Sequence, residues 1–214
     1  MGRDGAFGAV RDSLNGLEAA RRQTLAILAP LSQAQLDFAP RPGRWSIGEV
    51  ADHLRLSEQL WRDELHRLVL LARAGKPARL KHSFADINVS PLHIPDSVLS
   101  LLETPFSFMN RFVPDSVIGL ITEFPILPTR NPDMATPRAR RTKAELIADL
   151  RAALEETQQL IDSNADLDFL QMTSEHPLMG ANNVPQVLNF LARHERRHHA
   201  QMNSVSGDSR FPRA

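Results

Sequence analysis

Four long segments of the chain place apolar residues three or four positions apart, which is the spacing of an amphipathic helix. They span about 7–31, 46–74, 142–164 and 183–205. On the second segment, Val50, Leu54, Trp61, Leu65 and Leu68 would share one face. Such a face has to be buried against other helices. Four of them predict an all-α four-helix bundle.

Capping boxes indicate where these helices begin. In this motif a Ser, Thr or Asn side chain accepts from a backbone N–H three residues on, and a Glu or Gln at that position reaches back. The pattern occurs at Ser32/Gln35, Ser46/Glu49, Thr142/Glu145 and Asn183/Gln186. Pro30, Gly75 and Gly207 are expected to end helices.

The segment 76–141, between the second and third helices, has a different composition. It holds nine of the fifteen prolines and half of the ten phenylalanines. Proline at this density forbids one long helix, whereas the apolar content argues against pure disorder. We expect an ordered insertion with short helices at about 95–102 and 107–121, forming a binding wall or lid. An exposed linker is the alternative.

Composition limits the function. The 25 Lys and Arg residues balance 25 Asp and Glu residues, so no basic surface for nucleic acid is expected. With no Cys and no Tyr, polar chemistry depends on His, carboxylates, hydroxyls or a metal. No run of about 18 apolar residues and no signal peptide is visible, which favours a cytoplasmic protein without a membrane partner. The length suits a single domain over 1–214, with a bundle of roughly 150 residues plus the insertion.

His194 and His198 are the strongest candidates for chemistry. They lie four residues apart on the fourth helix and continue its apolar stripe. Two imidazoles at this spacing can share one metal ion, and a metal would satisfy nitrogens that face a core. The alternative is a solvent-exposed polar run from His194 to His199.

Other readings of the histidines remain. His53, near the start of the second helix, is by itself more typical of a hydrogen-bonded core histidine than of a ligand. His194-Glu-Arg-Arg-His198 also spells the zincin motif, in which Glu195 would be the general base. Against a zincin, only sixteen residues follow His198, and Gln201 stands where an extended zincin motif has glycine. His66, His82 and His93 are expected at the surface.

Three segments together resemble the DinB-like superfamily, especially its DinB_2-type branch. They are Trp45-Ser-Ile-Gly-Glu-Val-Ala-Asp-His-Leu54, Glu175-His-Pro-Leu-Met-Gly180 and Phe190-Leu-Ala-Arg-His-Glu-Arg-Arg-His-His-Ala-Gln201. The resemblance implies an up-down-down-up four-helix bundle, often dimeric, that holds a divalent metal on three histidines. The ligands it implies are His53, His194 and His198. His176 would shape the loop before the last helix.

The family includes transferases and isomerases that use bacillithiol, mycothiol or glutathione. A metal-dependent thiol S-transferase or hydrolase acting on a small molecule is therefore the leading hypothesis, with a low-molecular-weight thiol as cosubstrate. Three imidazoles suit Zn or Ni, and also Fe, Mn or Co. Glu195 is the candidate catalytic base, although a surface ion pair with an Arg is an equal alternative. Glu58, Arg197 and Gln201 could support the metal ligands or orient substrate.

Two other functions remain open at this stage. The bundle could be a non-catalytic, stress-related protein in which the metal stabilises the core. It could also be a zincin-type peptidase. The resemblance also leads us to expect a homodimer.

Overall fold

The computed structural model describes residues 3–82, 135–176 and 180–213. The helices in this part of the chain are α1 (Arg3–Leu28), α2 (Gln33–Asp37), α3 (Ile47–Arg73), α4 (Lys143–Asp162) and α5 (Val184–Ser206). The four long ones are the predicted helices, each within a few residues of its expected ends. The short helices predicted at about 95–102 and 107–121 lie outside the described residues.

All four predicted capping boxes are present, each with both of its hydrogen bonds. They begin α2, α3, α4 and α5 at Ser32, Ser46, Thr142 and Asn183. At Ser46, for example, the hydroxyl accepts from the Glu49 N–H at 3.1 Å, and the Glu49 carboxylate accepts from the Ser46 N–H at 2.8 Å. Local sequence therefore fixes where each of these helices starts.

Two apolar clusters give the direction of the long helices. The first joins the N-terminal halves of α1 and α5 to the C-terminal halves of α3 and α4, as in Leu14, Leu188, Leu68 and Ile161. The second cluster joins the C-terminal halves of α1 and α5 to the N-terminal halves of α3 and α4. Hence α1 and α5 run parallel to each other and antiparallel to α3 and α4. The predicted up-down-down-up four-helix bundle is confirmed.

A small sheet closes one end of the bundle. Its strands are β1 (Arg79–Lys81), β2 (Thr173–His176) and β3 (Gly180–Asn183), with β1 parallel and β3 antiparallel to β2. No strand was expected, because runs of three or four residues are too short to show a two-residue period. In the described residues, no helix is long and apolar enough to cross a membrane.

Candidate metal centre

Three imidazole rings meet where α3 packs against α5. His53 comes from the second turn of α3, while His194 and His198 lie four residues apart on α5. The Nε2 atom of His194 lies 3.3 Å from that of His53 and 3.0 Å from that of His198. One ligand atom from each ring lies within 4.8 Å of the other two. The three residues could therefore hold a metal ion.

The opposite ring nitrogens of two histidines face oxygen acceptors. His53 Nδ1 donates to the Ala135 carbonyl at 2.9 Å, and His198 Nδ1 donates to Gln201 Oε1 at 2.8 Å. A nitrogen that donates must carry the proton, so the Nε2 atoms of both rings keep their lone pairs. Metal-binding histidines in proteins are commonly held in this way.

The environment keeps all three imidazoles unprotonated. Burial lowers the pKa of His53, and it lowers the pKa of His198 to about 3, where the neighbouring His53 adds to the effect. The pKa of His194 is held well below its usual value by burial and by the two other rings. The three lone pairs are consequently available for metal binding at neutral pH.

Aromatic side chains pack against two of the three rings, His53 and His194. Phe190 stacks on His194 with centroids 5.8 Å apart and planes 7° from parallel. Trp45 packs against His53 at 4.9 Å, and Trp61 meets the ring of Phe190 edge-on at 6.2 Å. Trp45 and Phe190 thus each cover one face of a histidine ring.

The last residues of the insertion are fastened to α3 beside His53. Asp52 is fully buried and accepts from the Arg138 N–H and from the Arg141 guanidinium, both at 2.8 Å. Burial alone would raise the pKa of Asp52, and these hydrogen bonds lower it below its usual value. Asp52 thus anchors the chain that presents the Ala135 carbonyl to His53. Sequence reasoning missed this role.

A buried ionic cluster lies next to the imidazole group. The Arg21 guanidinium of α1 donates to Glu195 of α5 and to Glu58 of α3, each at 2.8 Å, and to the Leu150 carbonyl of α4 at 2.5 Å. Arg21, Glu58 and Glu195 are each about 1% exposed. The alternative of a surface ion pair for Glu195 is wrong, since its arginine partner is buried. Arg21 therefore connects all four long helices.

Hydroxyl groups and a further buried histidine complete this cluster. Thr157 donates to Glu58 at 2.8 Å, and Thr24 donates to Glu195 at 2.5 Å. His199 is 4% exposed, with Nε2 2.8 Å from Thr24 Oγ1. The interpretation of 194–199 as a solvent-exposed run is consequently wrong, because Glu195, His198 and His199 are buried.

The remaining predicted residues are spread over the bundle. Arg197 is exposed on α5, and its charge contributes to the low pKa of His198. His66 is exposed, as expected. His82 was expected at the surface and is partly buried there, with Nε2 3.2 Å from Glu64 Oε1. His93 lies outside the described residues. His176 is on β2, where burial lowers its pKa to about 4.

Comparisons with known proteins identify a family. A sequence model described as the DinB superfamily matches residues 16–202, which include the second half of α1, all of α3 and α4, most of α5 and the three histidines. No curated protein and no solved structure matches the chain.

Proposed function

This chain belongs to the DinB superfamily, and we propose that it is an enzyme whose reaction depends on a divalent metal held by His53, His194 and His198. The observation that carries the proposal is the convergence of three Nε2 atoms, two of them on rings whose Nδ1 atoms already donate to protein oxygens. A structural metal usually has four protein ligands, whereas a catalytic one often has three. Among the described residues only these three form such a group.

The donor set fits a borderline metal such as Zn or Ni. When bound, such an ion would lower the pKa of a coordinated thiol or water and so supply a nucleophile at neutral pH. The chain has no Cys, so a thiol would have to arrive as a cosubstrate. We propose a thiol S-transferase or a hydrolase that acts on a small molecule, with the protein as a homodimer.

The protein's own residues hold and enclose this site. Gln201 and the Ala135 carbonyl keep the Nδ1 protons in place, while Trp45 and Phe190 pack against the rings of His53 and His194. Both oxygens of Glu195 are engaged by Arg21, and one also accepts from Thr24. We therefore assign Glu195 to the support of α5 rather than to proton transfer, which disfavours a zincin.

Metal analysis tests the site. Purified protein should bind one divalent ion, and His53→Ala and His198→Ala should each lose it. His66→Ala, which removes an exposed histidine from the same helix as His53, is the matched control and should keep the ion. Equal metal content in all four proteins would refute the site.

Cobalt spectroscopy distinguishes a metal site with an open coordination position from a purely structural one. In the cobalt-loaded protein, an added thiol such as glutathione should produce a sulfur-to-cobalt charge-transfer band. Because the chain contains no Cys, such a band can come only from the added thiol. A spectrum that responds neither to thiols nor to small anions would indicate a closed coordination sphere and favour the non-catalytic alternative.

A further inference from the structure

One position of the apolar stripe on α3 holds a serine. The stripe advances by three or four residues through positions 50, 54, 57, 61, 65 and 68, and Ser57 is its one polar member. Residues at this spacing share the helix face that packs against neighbouring helices. Ser57 also follows His53 by four residues, so the two side chains lie one turn apart on that face.

The Ser57 hydroxyl is directed away from the backbone of its own helix. The hydroxyls of Ser13 on α1 and Ser206 on α5 lie 3.0 and 3.2 Å from the carbonyl oxygen four residues earlier, a common arrangement in helices. Ser57 Oγ instead lies 3.4 Å from His53 Nε2. In the described part of the chain, it has no other hydrogen-bond partner. The hydroxyl therefore faces the imidazole group.

The position of the proton on His53 decides which of the two atoms donates. His53 Nδ1 donates to the Ala135 carbonyl, so Nε2 carries a lone pair and the Ser57 hydroxyl is the donor. A metal ion on the three histidines would use this same lone pair. The ion would thus remove the acceptor of Ser57 and leave a hydroxyl beside the site with its hydrogen free to donate elsewhere.

Ser57 lies on the more accessible side of the site. The ring of His53 contacts that of His194 at 5.1 Å, and two turns further along α3 the ring of Trp61 contacts that of Phe190 at 6.2 Å. Ser57 lies on the turn between these two contacts. Ser57 and His194 are partly exposed, whereas His53 is buried. A molecule that enters from solvent would consequently meet this side of the site first.

We propose that the Ser57 hydroxyl donates a hydrogen bond to the sulfur or oxygen atom of the molecule that completes the coordination of the metal. The inference rests on the proposed function, which supplies the ion, and it adds a protein group that selects what binds there. Such a donor favours a ligand atom that keeps a lone pair after coordination, as a thiolate sulfur or a hydroxyl oxygen does. A hydrogen bond to a charged acceptor should raise affinity about tenfold or more.

Two kinds of small ligand test this in the cobalt-loaded protein, followed by its visible absorption. Azide and the thiolate of 2-mercaptoethanol keep lone pairs on the coordinated atom, whereas coordinated imidazole retains only an N–H donor. Ser57→Ala should weaken azide and 2-mercaptoethanol about tenfold and change imidazole affinity by less than about twofold. Ser57→Thr keeps the hydroxyl and should recover most of the azide affinity.

Two controls accompany these measurements. Ser206→Ala removes an exposed hydroxyl from α5, the helix that carries His194, and should leave all three affinities unchanged. Alanine has a higher helix propensity than serine, so Ser57→Ala should fold. Urea unfolding of the metal-free protein should give the same midpoint or a slightly higher one, and cobalt affinity should change by less than about threefold, because Ser57 is not one of the three ligands.

Each other outcome overturns the inference in a recognisable way. Equal azide and thiol affinities in wild type and Ser57→Ala, both loaded with cobalt, would refute the role of Ser57 and leave the proposed function standing. An equal loss for azide and imidazole would mean that Ser57 shapes the site without donating. Loss of cobalt from Ser57→Ala would make Ser57 a ligand or a support for His53. A wild type that binds cobalt but none of these ligands would have a closed site, and one that binds no cobalt would refute the proposed function as well.

Discussion

Replacing Arg21 with Met should destabilise the protein more than any surface change. The guanidinium is 1% exposed and donates to groups on the three other long helices. Methionine has a similar length and fills the space, but it leaves Glu58 and Glu195 as buried carboxylates without a counter-charge. Removing one partner of a buried ionic group typically costs about 3–5 kcal/mol of unfolding free energy.

Urea unfolding followed by circular dichroism measures this loss, with a chelator present so that metal binding does not contribute. For a chain of this size, 3–5 kcal/mol corresponds to a fall of roughly 6–20 °C in the melting temperature. The matched control is Arg62→Met. Arg62 also bridges two helices, but its partner Glu156 is 57% exposed, so the loss should stay below about 1 kcal/mol.

A triple variant, Arg21→Met with Glu58→Gln and Glu195→Gln, tests the cause. Neutral amides cost far less to bury than charges, so the triple variant should recover at least half of the loss. The reasoning would be refuted if Arg21→Met lost no more than Arg62→Met. It would also be refuted if the triple variant were as unstable as Arg21→Met, because uncompensated charge would then not explain the loss.

Three further predictions concern the buried histidines and the contacts that orient the proposed metal ligands. Gln201→Leu removes the acceptor of His198 Nδ1 and should lower metal affinity about 10- to 100-fold in a chelator competition, with unfolding little changed; wild-type affinity would show that this contact does not orient the ring. Asp52→Asn weakens the hydrogen bonds that hold the segment with the Ala135 carbonyl, and it should lower metal affinity about tenfold or more. Wild-type affinity in this variant would show that these hydrogen bonds do not help to orient His53. The metal-free protein should lose stability as pH falls below about 6.5. In the folded protein the pKa values of His176 and His198 are about 4 and about 3, whereas the unfolded value is near 6.5. The unfolded chain therefore binds more protons in this range, which favours unfolding. Urea midpoints at successive pH values should decline until about pH 3–4, with a shallower slope in His198→Gln, and a constant midpoint from pH 7 to 5 would contradict this.

Features set by neighbouring residues were predictable from the sequence. The capping boxes act within four residues, and the apolar stripes depend only on helical spacing, so four helices and most of their ends follow from the chain alone. The spacing of His194 and His198 likewise placed both rings on one helix face. His53 was different, because nothing near it in sequence separates a ligand from a core histidine. The expectation that it is a metal ligand came only from the family resemblance.

Features set by distant contacts were not predictable. Asp52 meets Arg138 and Arg141 across more than eighty residues of chain, and no local pattern marks that pairing. Arg21 sits at a position of the α1 stripe where an apolar residue would be expected. Its burial makes sense only once Glu58 and Glu195 are seen on the facing helices.

The arrangement of the bundle explains why a polar run on α5 is buried. Since α5 packs against both α1 and α3, residues one position apart, about 100° around the helix, face different neighbours. His194 and His198 meet His53 of α3, whereas Glu195 and His199 meet Arg21 and Thr24 of α1. The run is thus two interleaved pairs, each with four-residue spacing. The contacts between α1 and α5 therefore lie within one helical turn of the histidines that would hold the metal. A change that loosens the ionic cluster should consequently also shift the positions of His194 and His198.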